Sequence, residues 1–284
     1  PTVPTFPPPT DVLEATKGTM RPAGGLPREF PIDVEVGGEV VAVDAVTPSL
    51  VESFSRTTNP GWGTPDVGAA WVASGGAGGD HYTQGAEAAH LLTNVDVARL
   101  DLSPVSGADH DVQTDVATAA LATGGPQLVA VVARAADGDN LYMAQLSIST
   151  TQTITLTLRK RVAGTETQLA TVATTLTHSA FAFFRLRLQV IGAELKARVW
   201  PAAAEEPLGW QVVATDSSLT AGGSIGCRSV RQTANTNADL VVSWDSVQLL
   251  NPQAFSVIRS QNGVVKTHPA GVAVRLAHLP IAPL

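Results

Sequence analysis

Few residues in this 284-residue chain are of types that could do chemistry, and they are dispersed. Asp109, His110 and Asp111 stand together, while His81, His90 and His178 are scattered, with Asp80 beside the first. An Asp-His-Asp run could ligate a metal or support acid–base chemistry. Neighbours on a strand point to opposite faces, so only Asp109 and Asp111 could converge there, and a solvated strand start is the expected state. Asp33 and Glu35 alternate in the same way, which again reads as a solvated face. There is no serine-hydrolase elbow, HExxH pair, phosphate-binding GxxxxGK[ST], EF-hand loop or dinucleotide glycine fingerprint. Cys227 is the only cysteine, which excludes an intrachain disulfide and a cysteine zinc cluster. In the strand-like GSIGCRSV stretch it reads as a small buried hydrophobe.

Strand periodicity gives a sharper expectation. In TITLTLRKR, Ile154, Leu156 and Leu158 share one face, leaving Thr155, Thr157, Arg159 and Arg161 on the other. In RLRLQV, Leu186, Leu188 and Val190 turn inward and Arg185, Arg187 and Gln189 outward. In ELKARVW, Leu195, Ala197 and Val199 turn inward and Lys196, Arg198 and Trp200 outward. If these strands share a sheet, its outer face is a cationic groove with one aromatic ring. Arginine offers a fork for phosphate and tryptophan a flat surface for a sugar, so such a face suits a polyanionic or phosphorylated glycopolymer. The plainer alternative is that the cations solvate an exposed sheet and discourage edge pairing. Trp62, Trp71 and Trp210 read as core or loop anchors.

These residues need strands to hold them. Hydrophobic residues make up 44% and charged residues 15%, a balance that excludes intrinsic disorder. Thr and Val crowd the middle, where strand-like runs recur over 127–133, 140–148, 153–161, 166–174, 184–191, 194–200, 210–216, 223–230 and 239–250. Turn signals such as Gly124-Gly125, Gly164 and Gly222-Gly223 separate them, which means a sandwich or barrel. Before them, FPIDVEVGGEVVAVDAV reads as a hairpin turning at Gly37-Gly38, and residues 253–259 and 272–278 form a last strand pair around Asn262-Gly263. Neither flank could bury a face alone, so 30–50 and 251–284 are expected to pair as one small β domain split by an inserted sandwich over 51–250. Residues 1–29 form a Pro-rich arm and linker, and the sequence opens within that arm, which leaves room for residues upstream. A net charge of −7 argues against a nucleic-acid binder, and no apolar run has the length of a membrane span.

The runs VESFSRT, GWG, LVAVVARAADGDNLYMAQLSI, TLRKRVAGTETQLATV, FFRLRLQVIGAELKARVWP, GWQVVATDSSLTAGGSIG and VVSWDSVQLL resemble the concanavalin A/laminin G-like jelly rolls of actinobacterial and phage proteins. The flanks FPIDVEVGGEVVAVDAVT and PQAFSVIRSQNGVVKTHPAGVAVRLAHL resemble the two halves of a small β domain in minor tail proteins of actinobacterial phages. The resemblance implies an all-β fold, an antiparallel jelly-roll β-sandwich inserted into a small split β domain. It implies a non-enzymatic virion tail component, at the tail tip or in a fibre, whose sandwich binds host cell-wall glycan. It also implies other tail proteins as partners and a homotrimer. The paired carboxylates that a jelly-roll glycanase alternates along one strand are expected to be missing from the central strands, which carry Thr, Leu and Arg instead, so a secreted glycan hydrolase is the remote alternative and a purely structural assembly part the nearer one. Related sandwiches often hold a structural calcium between the first and last strands, where Glu52 and Asp245 stand here.

Overall fold

The computed structural model describes residues 31–269 and 272–277. The Pro-rich arm expected over 1–29 lies outside the described residues, as does the chain after residue 277. Contacts divide the chain into two compact units, one over Ser49–Pro252 and one assembled from the chain up to Pro48 and from Gln253 onward.

The elements are β1 (Ile32–Val36), β2 (Glu39–Glu52), β3 (Thr57–Thr58), β4 (Val72–Ser74), β5 (His81–Gln84), β6 (Ala88–Leu92), β7 (Arg99–Ser103), β8 (His110–Thr118) and β9 (Gln127–Ala135). There follow β10 (Leu141–Ile148), β11 (Thr153–Val162), β12 (Thr165–Thr177), β13 (Phe184–Ile191), β14 (Glu194–Pro201), β15 (Val212–Thr215), β16 (Ser224–Arg231), β17 (Leu240–Ile258) and β18 (Val274–Leu276). One 3-10 turn, Gly78–Asp80, precedes β5. Among the described residues no helix is long and apolar enough to cross a membrane.

In the larger unit one sheet runs β15-β14-β13-β8-β17, and β6, β5 and β3 continue it. A second, seven-stranded sheet has the order β12-β11-β10-β9-β16-β7-β4. The pairings are antiparallel, as in β13 with β14 and β8, and β10 with β9 and β11. The chain is thus an antiparallel jelly-roll sandwich, and alternation explains its core. Leu186, Leu188, Val190, Leu195 and Ala197 from one sheet and Val131, Ala133, Ile154, Leu156 and Leu158 from the other are at most 1% exposed and belong to one cluster. Each large side chain buried this way contributes about 1.5–3 kcal/mol.

The nine positions of β9 are all buried, because its second face is covered as well. Ala130 and Val132 pack there with Leu100, Ala135, Leu141 and Met143 in a separate cluster. Arg228, held by Glu166 at 2.8 Å, lies against the Met143 sulfur.

The smaller unit pairs β1 with β2 and β18 around Val34, Val41 and Val43, with Ile32, Val36 and Leu276 alongside. Gly37 and Gly38 turn the hairpin at φ +55° and +85°, the left-handed pair that a two-residue turn of matching twist requires. Glu39 has no exposed surface and is bound by Arg259, His268 Nε2 and the Lys266 backbone N–H, which hold its carboxyl far below the usual range, Arg259 foremost.

Candidate functional site

The outward face of β14, β13, β8 and β17 carries a lattice of planar polar groups. Register sets Trp200, Arg185, Asp115 and Asp245 in one row across four strands, and Arg198, Arg187, Gln113 and Gln248 in the next. A third row holds Lys196, Gln189, Asp111 and Asn251. Directly opposed residues on one face lie about 4.5–5.5 Å apart at Cβ, so each row forms contacts by construction.

Those contacts neutralise the cations. Arg185 donates through Nε and Nη2 to both Asp115 oxygens, each at 2.6 Å. Arg187 grips Asp111 with two bonds of 2.7 Å and reaches Glu206 at 2.6 Å. Gln189 adds a third donor to Asp111 at 2.7 Å. Arg198 pairs with Glu206, and Lys196 pairs with Glu194 at 2.6 Å. Glu206 and Trp210 come from the connection between β14 and β15, which folds over the arginines. The Trp210 ring lies 4.4 Å from the Arg198 guanidinium carbon and 5.5 Å from that of Arg187. Asp245 differs from its neighbours, since its carboxylate accepts a bond from the Ser246 N–H at 2.6 Å and, among the described residues, has no cation paired with it. Burial, then the nearby charges of Asp115 and Glu87, push its pKa up. A β-bulge in β17 between Asp245 and Gln248, with Ser246 at φ +52°, re-aims this stretch of strand.

The expected cationic groove is therefore corrected in three respects. Arg159 and Arg161 stand on β11 in the seven-stranded sheet, bound to Glu166 and Asp139, and share no face with Arg185, Arg187, Lys196 and Arg198. The period of two assigns a face but not a sheet, and the chain changes sheets between β12 and β13. The four remaining cations are matched by carboxylates, so the face is not a positive field. Trp200 is only 4% exposed and packs beside Arg198, whereas Trp210 stands half-buried on the face as its aromatic group.

Other expectations also change. Carboxylates do alternate on a central strand, since Asp111 and Asp115 flank Gln113 on β8. Asp109 does not converge with Asp111 but takes Arg134 at 3.1 Å and the Gly192 N–H at 2.8 Å. Glu52 cannot serve a calcium ion with Asp245, because both its oxygens are used by Arg56, the Phe54 N–H and the Trp71 indole. Gly222-Gly223-Ser224-Ile225-Gly226 has the spacing of a serine elbow, yet Ser224 opens β16 and the chain continues as strand, so no strand–turn–helix elbow forms. Among the described residues one trio of metal-ligating side chains converges, His81, His90 and Asp101, and neither Glu52 nor Asp245 belongs to it.

His110 illustrates how the interior treats charge. It has no exposed surface, accepts the Arg134 N–H at Nδ1 and donates to the Gly107 carbonyl. Burial, with Arg134 nearby, pulls its pKa down to about 4, only partly offset by the Gly107 carbonyl and Asp109. The unfolded chain therefore binds a proton below about pH 6.5 that the folded chain refuses until about pH 4. Stability from this group is complete above pH 6.5 and falls as pH drops through that window, by up to about 3 kcal/mol. Urea titrations of wild type and His110→Gln across pH 4–7 check this, with a shallower loss expected in the variant.

No protein-family model matches the sequence, and no curated protein matches it. Solved structures share its architecture. A Bacillus licheniformis β-glucanase superposes with a TM-score of 0.51 at 10% identity, over 71% of this chain and 97% of that one. The carbohydrate-binding module CBM66 of Bacillus subtilis gives 0.43 at 16% identity, over 62% and 92%. A legume lectin-like domain of Entamoeba histolytica gives 0.43 at 8% identity, over 63% and 88%. At such identities the likeness is one of fold alone, the antiparallel jelly-roll β-sandwich.

Proposed function

We propose that this chain is a non-enzymatic glycan-binding protein whose sandwich uses the face of β14, β13, β8 and β17. The observation that carries the reading is the polar lattice itself: guanidinium, amide and carboxylate planes fixed by bidentate pairs, with half-buried Trp210 and Asp245 among them. Fixed planar groups suit the paired hydroxyls of a sugar ring and lose little entropy on binding it, and an indole face stacks on its C–H surface. Because each cation is matched, the structure favours a neutral, polyhydroxylated glycan over the phosphorylated polymer that unpaired arginines would select. The shared fold with a β-glucanase adds an analogy at the level of architecture only.

A place in a phage tail rests on the resemblance of the flanks to minor tail proteins. Host cell-wall glycan as ligand, other tail proteins as neighbours and a homotrimer follow from it. Titration of host cell-wall polysaccharide into the full chain tests the binding. Trp210→Ala and Asp245→Ala are each expected to weaken it by about tenfold or more, roughly 1.4 kcal/mol. Unchanged affinity in both variants would move the site elsewhere, and no binding by the wild type would leave a purely structural part.

One observation favours a second reading as a glycan hydrolase. Asp115 and Asp245 are register partners, and Asp245 has its pKa pushed up, as a general acid requires. Against it, both Asp115 oxygens are committed to Arg185, so Asp115 is not free to serve as nucleophile or base beside the acid. New reducing ends after incubation with the polysaccharide, lost in Asp245→Asn, would establish the enzyme.

A further inference from the structure

The buried trio of His81, His90 and Asp101 has an arrangement that hydrogen bonding alone does not account for. His81 and His90 are register partners on β5 and β6, and Asp101 comes from β7 in the opposite sheet. All three are at most 1% exposed. Both imidazoles aim at the same oxygen: His81 Nδ1 contacts Asp101 Oδ2, and His90 Nε2 lies 2.8 Å from it. Asp101 Oδ1, equally buried, has no partner among the described residues. Two donors crowding one oxygen while its twin goes unserved forfeits about 1–3 kcal/mol that a one-to-one arrangement would recover.

The outer contact of His81 is the kind that metal-bound histidines make, and His90 has a hydroxyl in place for the same role. His81 directs its Nε2 to the Gly75 carbonyl at 2.8 Å, and His90 its Nδ1 to the Ser229 hydroxyl at 2.9 Å. The Gly75 carbonyl can only accept, so it fixes the His81 tautomer that leaves Nδ1 free to ligate, while the Ser229 hydroxyl stands ready to accept from His90 Nδ1 once zinc takes Nε2. Trp62 stacks on His90 with ring centroids 4.7 Å apart and locks its plane.

We propose that His81, His90 and Asp101 form a zinc site that ties the two sheets together from within. One ligand atom from each residue lies within 4.8 Å of the others, and the two imidazole contacts to Asp101 Oδ2, one of them 2.8 Å, would open to the separation of about 3.4 Å expected between tetrahedral ligands at about 2.0–2.2 Å from zinc. Asp101 binding through both oxygens supplies the fourth donor and uses the orphan Oδ1. The donor set, two imidazoles and one carboxylate in a closed interior, excludes calcium, which needs six to eight oxygens. The zinc form has one cost. Trp244 Nε1–H, which lies 3.2 Å from His90 Nδ1, loses its acceptor once that nitrogen carries a proton.

The test uses the full chain, zinc chloride and cobalt(II) chloride. After dialysis against zinc and then metal-free buffer, elemental analysis is expected to find about one zinc per chain, and Tm is expected to rise with zinc and saturate at that ratio. Cobalt(II) in the wild type should show the intense visible absorption of a tetrahedral site. His90→Gln should abolish uptake. Ser229→Ala, which keeps all three ligands, should weaken zinc binding by about 10–100-fold and so reports the site even if the first variant fails to fold. A wild-type chain that retains no zinc and whose Tm ignores both zinc and chelator overturns the proposal, as does full zinc retention in a folded His90→Gln.

Discussion

Asp111→Ala is expected to destabilise the protein by about 3–5 kcal/mol, the typical cost of removing one member of a buried ion pair. Asp111 is fully buried and anchors both Arg187 and Gln189. Arg187 is 5% exposed and would keep only Glu206, which also serves Arg198. Burial works against the Arg187 charge, and the bonds and charges of Asp111 and Glu206 more than offset it, so its pKa stands well above the ordinary value. Without Asp111 the buried guanidinium keeps too little nearby negative charge. Urea unfolding of the single variant measures the loss. The double variant Asp111→Leu/Arg187→Met separates charge from packing, because it leaves no unpaired guanidinium and only Gln189 without its acceptor, and it should be clearly more stable than the single. A double variant as unstable as Asp111→Ala would show that shape, and not pairing, fixes β8 against β13.

Trp62→Ala should cost a similar amount, about 3–5 kcal/mol, for a different reason. Its side chain has no exposed surface and fills the space between Phe54, Trp71 and His90, at centroid distances of 5.2, 5.3 and 4.7 Å. Truncation leaves a cavity that strands anchored on both sides cannot close. It also strips the Ala89 carbonyl of the indole N–H that meets it at 3.2 Å. Trp62→Phe keeps most of the volume and loses that bond, so a smaller loss is expected from it. Equilibrium unfolding of the pair, with near-ultraviolet circular dichroism to follow the aromatic cluster, reads both effects. Equal stability of wild type and Trp62→Ala would mean that this cluster does not hold the end of the sandwich together.

The sandwich was legible in the sequence because its strands alternate. Leu186, Leu188 and Val190 announce an inward face, and Leu195, Ala197 and Val199 repeat it one turn later. What alternation leaves open is which sheet a strand joins, and Arg159 and Arg161 show the consequence. Their strand has the same pattern as β13 but pairs with β10 and β12. Strand β8 escaped for another reason. Its acidic residues are paid for by Arg185 and Arg187, 70 and 76 residues downstream, so locally the run looks like a polar loop. The same holds for Glu206 and Trp210, whose place on the face depends on how a connection folds back. The pairing of His81 with His90 had a readable signal, since both lie at equal distances from the Gly85-Ala86 turn. Asp101 had none, because it arrives from the opposite sheet.

Hydrogen–deuterium exchange of the full chain, with and without host cell-wall polysaccharide, addresses the proposed glycan-binding face most directly. Slower exchange confined to β8, β13, β14, the neighbouring part of β17 and the connection bearing Trp210 is the result the face demands. Protection on β10 to β12 instead, or none at saturating polysaccharide, would contradict it.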